Sequence, residues 1–112
     1  MLVEFSHGWI DAERIYCVGI FSRVSKDEPV AFLDCGEVNV AISRSDIPFL
    51  TEGFPRLVDT DNNEFWLNQS FISAIEREPN CFRILLQGGD YYRVFSIDSL
   101  LSANLLIPKD LA

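Results

Sequence analysis

The chain has 112 residues, 17 of them acidic and nine basic, which gives a formal charge of −8 and a pI near 4.4. Hydrophobic residues make up 48% and charged residues 23%, the balance of a folded domain rather than a disordered chain. That acidity disfavours phosphate backbones and anionic lipid as partners, and no apolar run approaches the roughly 18 residues of a membrane-spanning helix.

Read in chain order, Leu2 to Phe5 predicts a short strand and Ser6-His7-Gly8 a turn. Glu4 and the lack of Lys or Arg ahead of Gly8 argue against a secretory signal peptide. The near-continuous apolar run Ile15 to Phe21 predicts a central strand covered on both faces. Ser22 to Pro29 is polar and predicts a loop. Val30 to Leu33 and Val38 to Ile42 then form a hairpin about Asp34-Cys35-Gly36-Glu37. Ser45 or Asp46 caps a short helix, with Pro48 in its first turn, and Thr51 to Pro55 ends it.

The second stretch follows the same plan. Leu57-Val58 and Phe65 to Leu67 bracket the polar turn Asp59 to Glu64, and Phe71 to Ile75 and Phe82 to Leu86 follow as strands. Gln87-Gly88-Gly89-Asp90 is a hairpin signal leading into Tyr91 to Phe95. Ser96 caps a helix whose Ile97, Leu100, Leu101 and Leu105 share one face, and Pro108 stops it.

An internal repeat underlies this parallel. Trp9-Ile10-Asp11 through Val18 aligns with Trp66-Leu67-Asn68 through Ile75, and Gly36-Glu37-Val38 aligns with Gly89-Asp90-Tyr91. Charge divides evenly, residues 1–56 carrying nine acidic and five basic side chains and residues 57–112 eight and four, so each half is −4. The expected fold class is therefore α+β and β-rich. Two similar strand-rich halves, 1–54 and 55–112, each end in a short helix and pack as one pseudo-twofold domain.

Chemistry-bearing motifs are sparse. Cys17, Cys35 and Cys81 are odd in number with no CxxC pair, which favours a cytoplasmic protein without disulfides. Asp59, Asp61 and Asn63 match the start of a calcium loop, but Glu64 and Ser70 stand where Gly and Glu are required, so a solvated turn is expected and no metal. His7 is the single imidazole and sits in a turn; no motif surrounds any Ser or Cys. Gly88-Gly89 opens a strand rather than a helix and is no phosphate cradle. No catalytic residue and no cofactor follow, and the expectation is a protein that is not an enzyme.

Phe65-Trp66-Leu67-Asn68, then Ile72 and Ile75, then the Gly88-Gly89-Asp90 hairpin, resembles the last strands of LytTR-type transcriptional regulator domains over about thirty residues. That resemblance implies DNA binding. The basic and histidine residues such domains place before the Asn are absent, with Asn62-Asn63-Glu64 there instead, so the match is read as shared strand-turn-strand geometry.

Composition favours a different reading: a non-catalytic, acidic protein-binding inhibitor of a basic, nucleic-acid-binding partner, of toxin-immunity, anti-restriction or anti-CRISPR type, with no direct nucleic-acid contact. Its partner-binding candidates are Asp27, Glu28, Asp34, Glu37, Asp59, Asp61 and Glu64 in the turns. Trp66, Tyr91 and Tyr92 are the aromatic anchors. The alternatives are a regulatory or assembly protein acting through a homodimer or an operon partner, and a LytTR-like DNA-binding regulator.

Overall fold

A computed structural model describes residues 1–25 and 27–110, the side chains of 24 and 25 excepted. Among these residues ten strands form three antiparallel sheets. β1 (Leu2–Phe5) pairs only with β2 (Gly8–Asp11). The central sheet has the order β5-β4-β3-β7-β6, built from β3 (Ile15–Ile20), β4 (Val30–Leu33), β5 (Val38–Ala41), β6 (Arg56–Val58) and β7 (Glu64–Leu67). The third sheet, β10-β9-β8, comprises β8 (Ile72–Arg77), β9 (Phe82–Leu86) and β10 (Tyr91–Val94). Helices are short: α1 (Ser22–Ser25), α2 (Ile47–Leu50) and α3 (Asp98–Ser102). The strand-rich α+β class read from the sequence is what the chain adopts.

Every residue of β3 is buried, as its unbroken apolar run requires, because its side chains are divided between two cores, one on each face. Cys17 and Phe21 face a core shared with Phe65, Leu67, Ile84, Leu86, Val94 and Leu100, which lies against the three-stranded sheet and α3. Val18 and Ile20 face the other, shared with Ile10, Ile47 and Leu50 beneath β1–β2 and α2. The ring of Phe21 folds back over Gly19, where a Cβ would lie 2.0 Å from Phe21 Cε2, so this strand position has no room for a side chain.

The repeat seen in the sequence is a repeat of elements. β1–β2, β3–β4–β5 and α2 recur in order as β6–β7, β8–β9–β10 and α3. The joint between the first two units is the same in detail. Asp11 accepts a bond from Glu13 N–H at 3.2 Å, and Asn68 accepts one from Ser70 N–H at 3.1 Å, each opening a 3-10 turn. In both copies a β-bulge follows, at Ile15/Cys17 and at Ile72/Ala74. Hydrogen bonding between strands does not follow the repeat, since β7 joins β3 in the central sheet whereas β2 pairs with β1 alone.

Two boundaries differ from the sequence expectation. Asp46 stands at the N-cap of α2, as expected, but its side chain makes no capping bond there and the helical segment begins earlier, after Ser43. Ser43 forms a capping box with Asp46, and a 3-10 turn over Arg44–Asp46 precedes α2. α3 ends at Ser102, short of Leu105. Asn104 turns left-handed at φ 57, and bonds from Leu105 N–H to Leu100 O (3.0 Å) and Asn104 N–H to Leu101 O (3.1 Å) close it as a Schellman motif.

Asp46 also clasps the first hairpin. It accepts Ser6 N–H at 3.0 Å, Ser43 N–H at 2.9 Å and the Ser6 hydroxyl. Burial pushes its pKa up, but the Ser6 and Ser43 bonds together outweigh burial and hold the carboxyl below its ordinary value. A carboxyl that is a stronger acid in the folded state adds stability above its unfolded pKa and loses it as pH falls through the folded value. Asp46→Asn therefore lowers the urea midpoint at pH 7, and its gap from the parent closes below about pH 4. Chemical denaturation also separates a core aromatic from an exposed one. Phe65→Ala, fully buried, costs about 3–5 kcal/mol. Trp9→Ala, at a residue 65% exposed, stays within about 0.5 kcal/mol.

Candidate functional site

Of the seven acidic turn candidates, Asp34 and Glu64 are paired with arginines, and two more arginines are taken up by Glu76 and Glu78 outside those turns. Arg14 donates to Asp34 through Nε at 2.8 Å and through a second, shorter bond, which holds the Asp34 carboxyl below its usual value. Arg56 pairs with Glu64, Arg83 with Glu76, and Arg93 with Glu78 at 2.8 Å. Asp59 stabilises its own turn, accepting Asp61 N–H at 3.0 Å and Asn63 N–H at 2.8 Å. That bonding accounts for the Asp59–Asn63 spacing without a cation. Among the described residues no group of three His, Cys, Asp or Glu could hold a metal ion. Asp27 is exposed at φ 71, with its carbonyl bonded to Arg44; Glu28 and Glu37 are exposed nearby in chain, and Lys26 lies outside the described residues.

Of the three aromatic anchors, only Tyr91 is at the surface. Trp66 is half-buried against the core beneath the first hairpin. Tyr92 points between sheets and stacks on Phe65 at 4.6 Å and on Phe21 at 5.6 Å. Tyr91 lies on the outer face of β10, where the Arg83 and Arg93 guanidiniums stand 5.5 and 5.0 Å from its ring. Arg83 and Arg93 are register partners on β9 and β10.

What the fold gathers is a cleft of about 340 Å³ where the central sheet meets the three-stranded sheet. Asp59, Asp61, Tyr91 and Tyr92 line it, together with residues that were not partner-binding candidates, among them Tyr16, Phe21, Arg23, Gly36, Asn39 and Asp90. The β3 bulge turns Tyr16 to the same side as Cys17, and the Tyr16 hydroxyl donates to Asp90 Oδ2 at 3.0 Å. Behind it, burial pushes the Cys17 thiol up to about 12, a hydrogen bond with Tyr92 pulling weakly the other way. Asp90 was legible only as part of a hairpin signal, and nothing local marks Tyr16, since the bulge that aims it appears only in the strand pairing.

His7 sits in the β1–β2 turn with Nε2 3.4 Å from Ser43 Oγ and its ring edge-on to Phe5. The Asp46 oxygens bond Ser6 and Ser43. No described helix is long and apolar enough to cross a membrane. Among the described cations Arg23, Arg44, Arg77 and Lys109 are exposed and make no ion pair.

No protein-family model matches the sequence, and no curated protein sequence does. A solved structure does match: a LytTr DNA-binding domain from Bacillus cereus, 15% identical, with a TM-score of 0.62 over 96% of each chain. The likeness extends from the last strands, where the sequence resemblance lay, to nearly the whole chain. It overturns the expectation of an acidic inhibitor of toxin-immunity, anti-restriction or anti-CRISPR type, and with it a basic protein partner and the absence of nucleic-acid contact. Composition misled because a net charge of −8 carries no information on where exposed cations stand on the surface. This chain has the LytTR fold.

Proposed function

We propose that the chain is a non-catalytic DNA-binding module of a LytTR-type regulator, working in the cytoplasm. The observation that carries this reading is the near-full-length likeness, 96% of each chain, to a domain described as DNA-binding. No described helix exceeds five residues, so contact falls to loops and strand ends rather than to an inserted recognition helix. The segment after β3 carries Arg23, in α1, and the segment after β5 carries Arg44, and Arg44 Nη2 donates to Asp27 O at 3.3 Å, which joins the two segments. Both cations are exposed and outside the ion pairs, so both are available to phosphate oxygens. With a formal charge of −8 the rest of the molecule repels DNA, and binding rests on such local cations at moderate salt.

Anisotropy of a labelled duplex, followed from about 25 to about 200 mM salt, tests the proposal. Binding weakens with a log–log slope of about −2 if Arg23 and Arg44 each neutralise a phosphate. Arg23→Ala and Arg44→Ala each lower that slope by about 1 and weaken all duplexes alike. No anisotropy change at the lowest salt removes the reading.

A further inference from the structure

We propose that the cleft between the central and three-stranded sheets binds a small organic cation with a flat apolar body, an aryl amine or aryl amidine. This goes beyond DNA binding and does not depend on it. The cleft, at about 340 Å³, falls in the size range of small-molecule sites. Its walls are aromatic. Phe21 and Tyr92 stack with an interplanar angle of 4°, and Phe32 meets Phe21 edge-on at 5.8 Å. These rings are stacked on one another and largely buried, and what they present to the cleft is apolar area for a flat ligand.

The rim supplies the charge. Three carboxylates, Asp59, Asp61 and Asp90, open on the cleft against one guanidinium, Arg23, a local balance of −2. Asp59 is committed to its turn. Asp90 uses Oδ2 for Tyr16, and among the described residues the Asp61 carboxylate accepts no hydrogen bond. Asp61 and the second Asp90 oxygen therefore remain for donors on a ligand. Gly36 keeps the floor open. A Cβ there would lie 2.9 Å from Asp90 Oδ2 and 3.0 Å from the Tyr16 hydroxyl, crowding the bond that holds the Asp90 carboxylate at the cleft. Anions face the opposite balance, with Arg23 alone to hold them.

The test is an amide NMR titration of the whole chain with benzamidine, and with benzoate as the anion of the same shape. Benzamidine shifts Gly36, Asn39, Asp61 and Asp90 saturably, with a dissociation constant on the order of 1 mM, as expected for so small a ligand. Benzoate binds at least about tenfold more weakly. Asp61→Asn weakens benzamidine about two- to fivefold. Asn39→Trp, which places a large side chain on an exposed position of the rim, abolishes binding while the remaining spectrum stays folded. The proposal is overturned if benzamidine gives no saturable shift, if benzoate binds equally well, if the shifts fall elsewhere, or if both variants leave the affinity unchanged.

Discussion

One extra residue in β3 sets much of this structure. In a regular strand Tyr16 and Cys17 would leave on opposite faces, and the run from Ile15 to Ile20 would split three and three. The bulge after Ile15 sends both toward the three-stranded sheet and leaves Ile15 and Val18 on the side of the first hairpin. Cys17 is then free to meet Tyr92, and Tyr16 to reach Asp90 across the cleft. The two sheets are also joined at the β6–β7 turn, where Thr60 N–H donates to Arg93 O at 2.9 Å. The Tyr16–Asp90 bond adds a second directional tie at their rim.

The bulge in β8 does the complementary job. Ile72 and Ile75 turn inward on either side of it, while Ser73 and Ala74 face solvent. Both bulges follow an Asx-opened 3-10 turn by one residue, so the same local device serves twice, once in the middle of a sheet and once at an edge. Its surroundings decide what it exposes. In β3 it gives a buried tyrosine and cysteine; in β8 it gives a solvated pair of small residues.

Much of the plan was legible in the sequence. Alternation and apolar runs located the strands because period-two burial leaves that mark, and the hairpins at Asp34 to Glu37 and Gln87 to Asp90 were marked by their turn residues. The repeat was legible too, from Trp9 and Trp66 onward. Its limits were physical. Trp9 and Trp66 align, yet one is mostly exposed and the other packs against a core, since β2 pairs only with β1 while β7 lies inside the central sheet. The helical stripe ending at Leu105 was likewise sound as burial and unsound as length, because Asn104 turns the chain before it.

Local sequence by itself determined the strands, the turns and the doubled order of elements, since these depend on neighbours within a few residues. It also determined the total charge. Only the tertiary structure decided what that charge amounts to at any place on the surface, because Coulomb attraction acts through space and the arginines that silence Asp34, Glu64, Glu76 and Glu78 lie seven to twenty residues away in the chain. The same holds for the cleft. Tyr16 and Asp90 are 74 residues apart, and a strand register, not a motif, brings them within 3.0 Å.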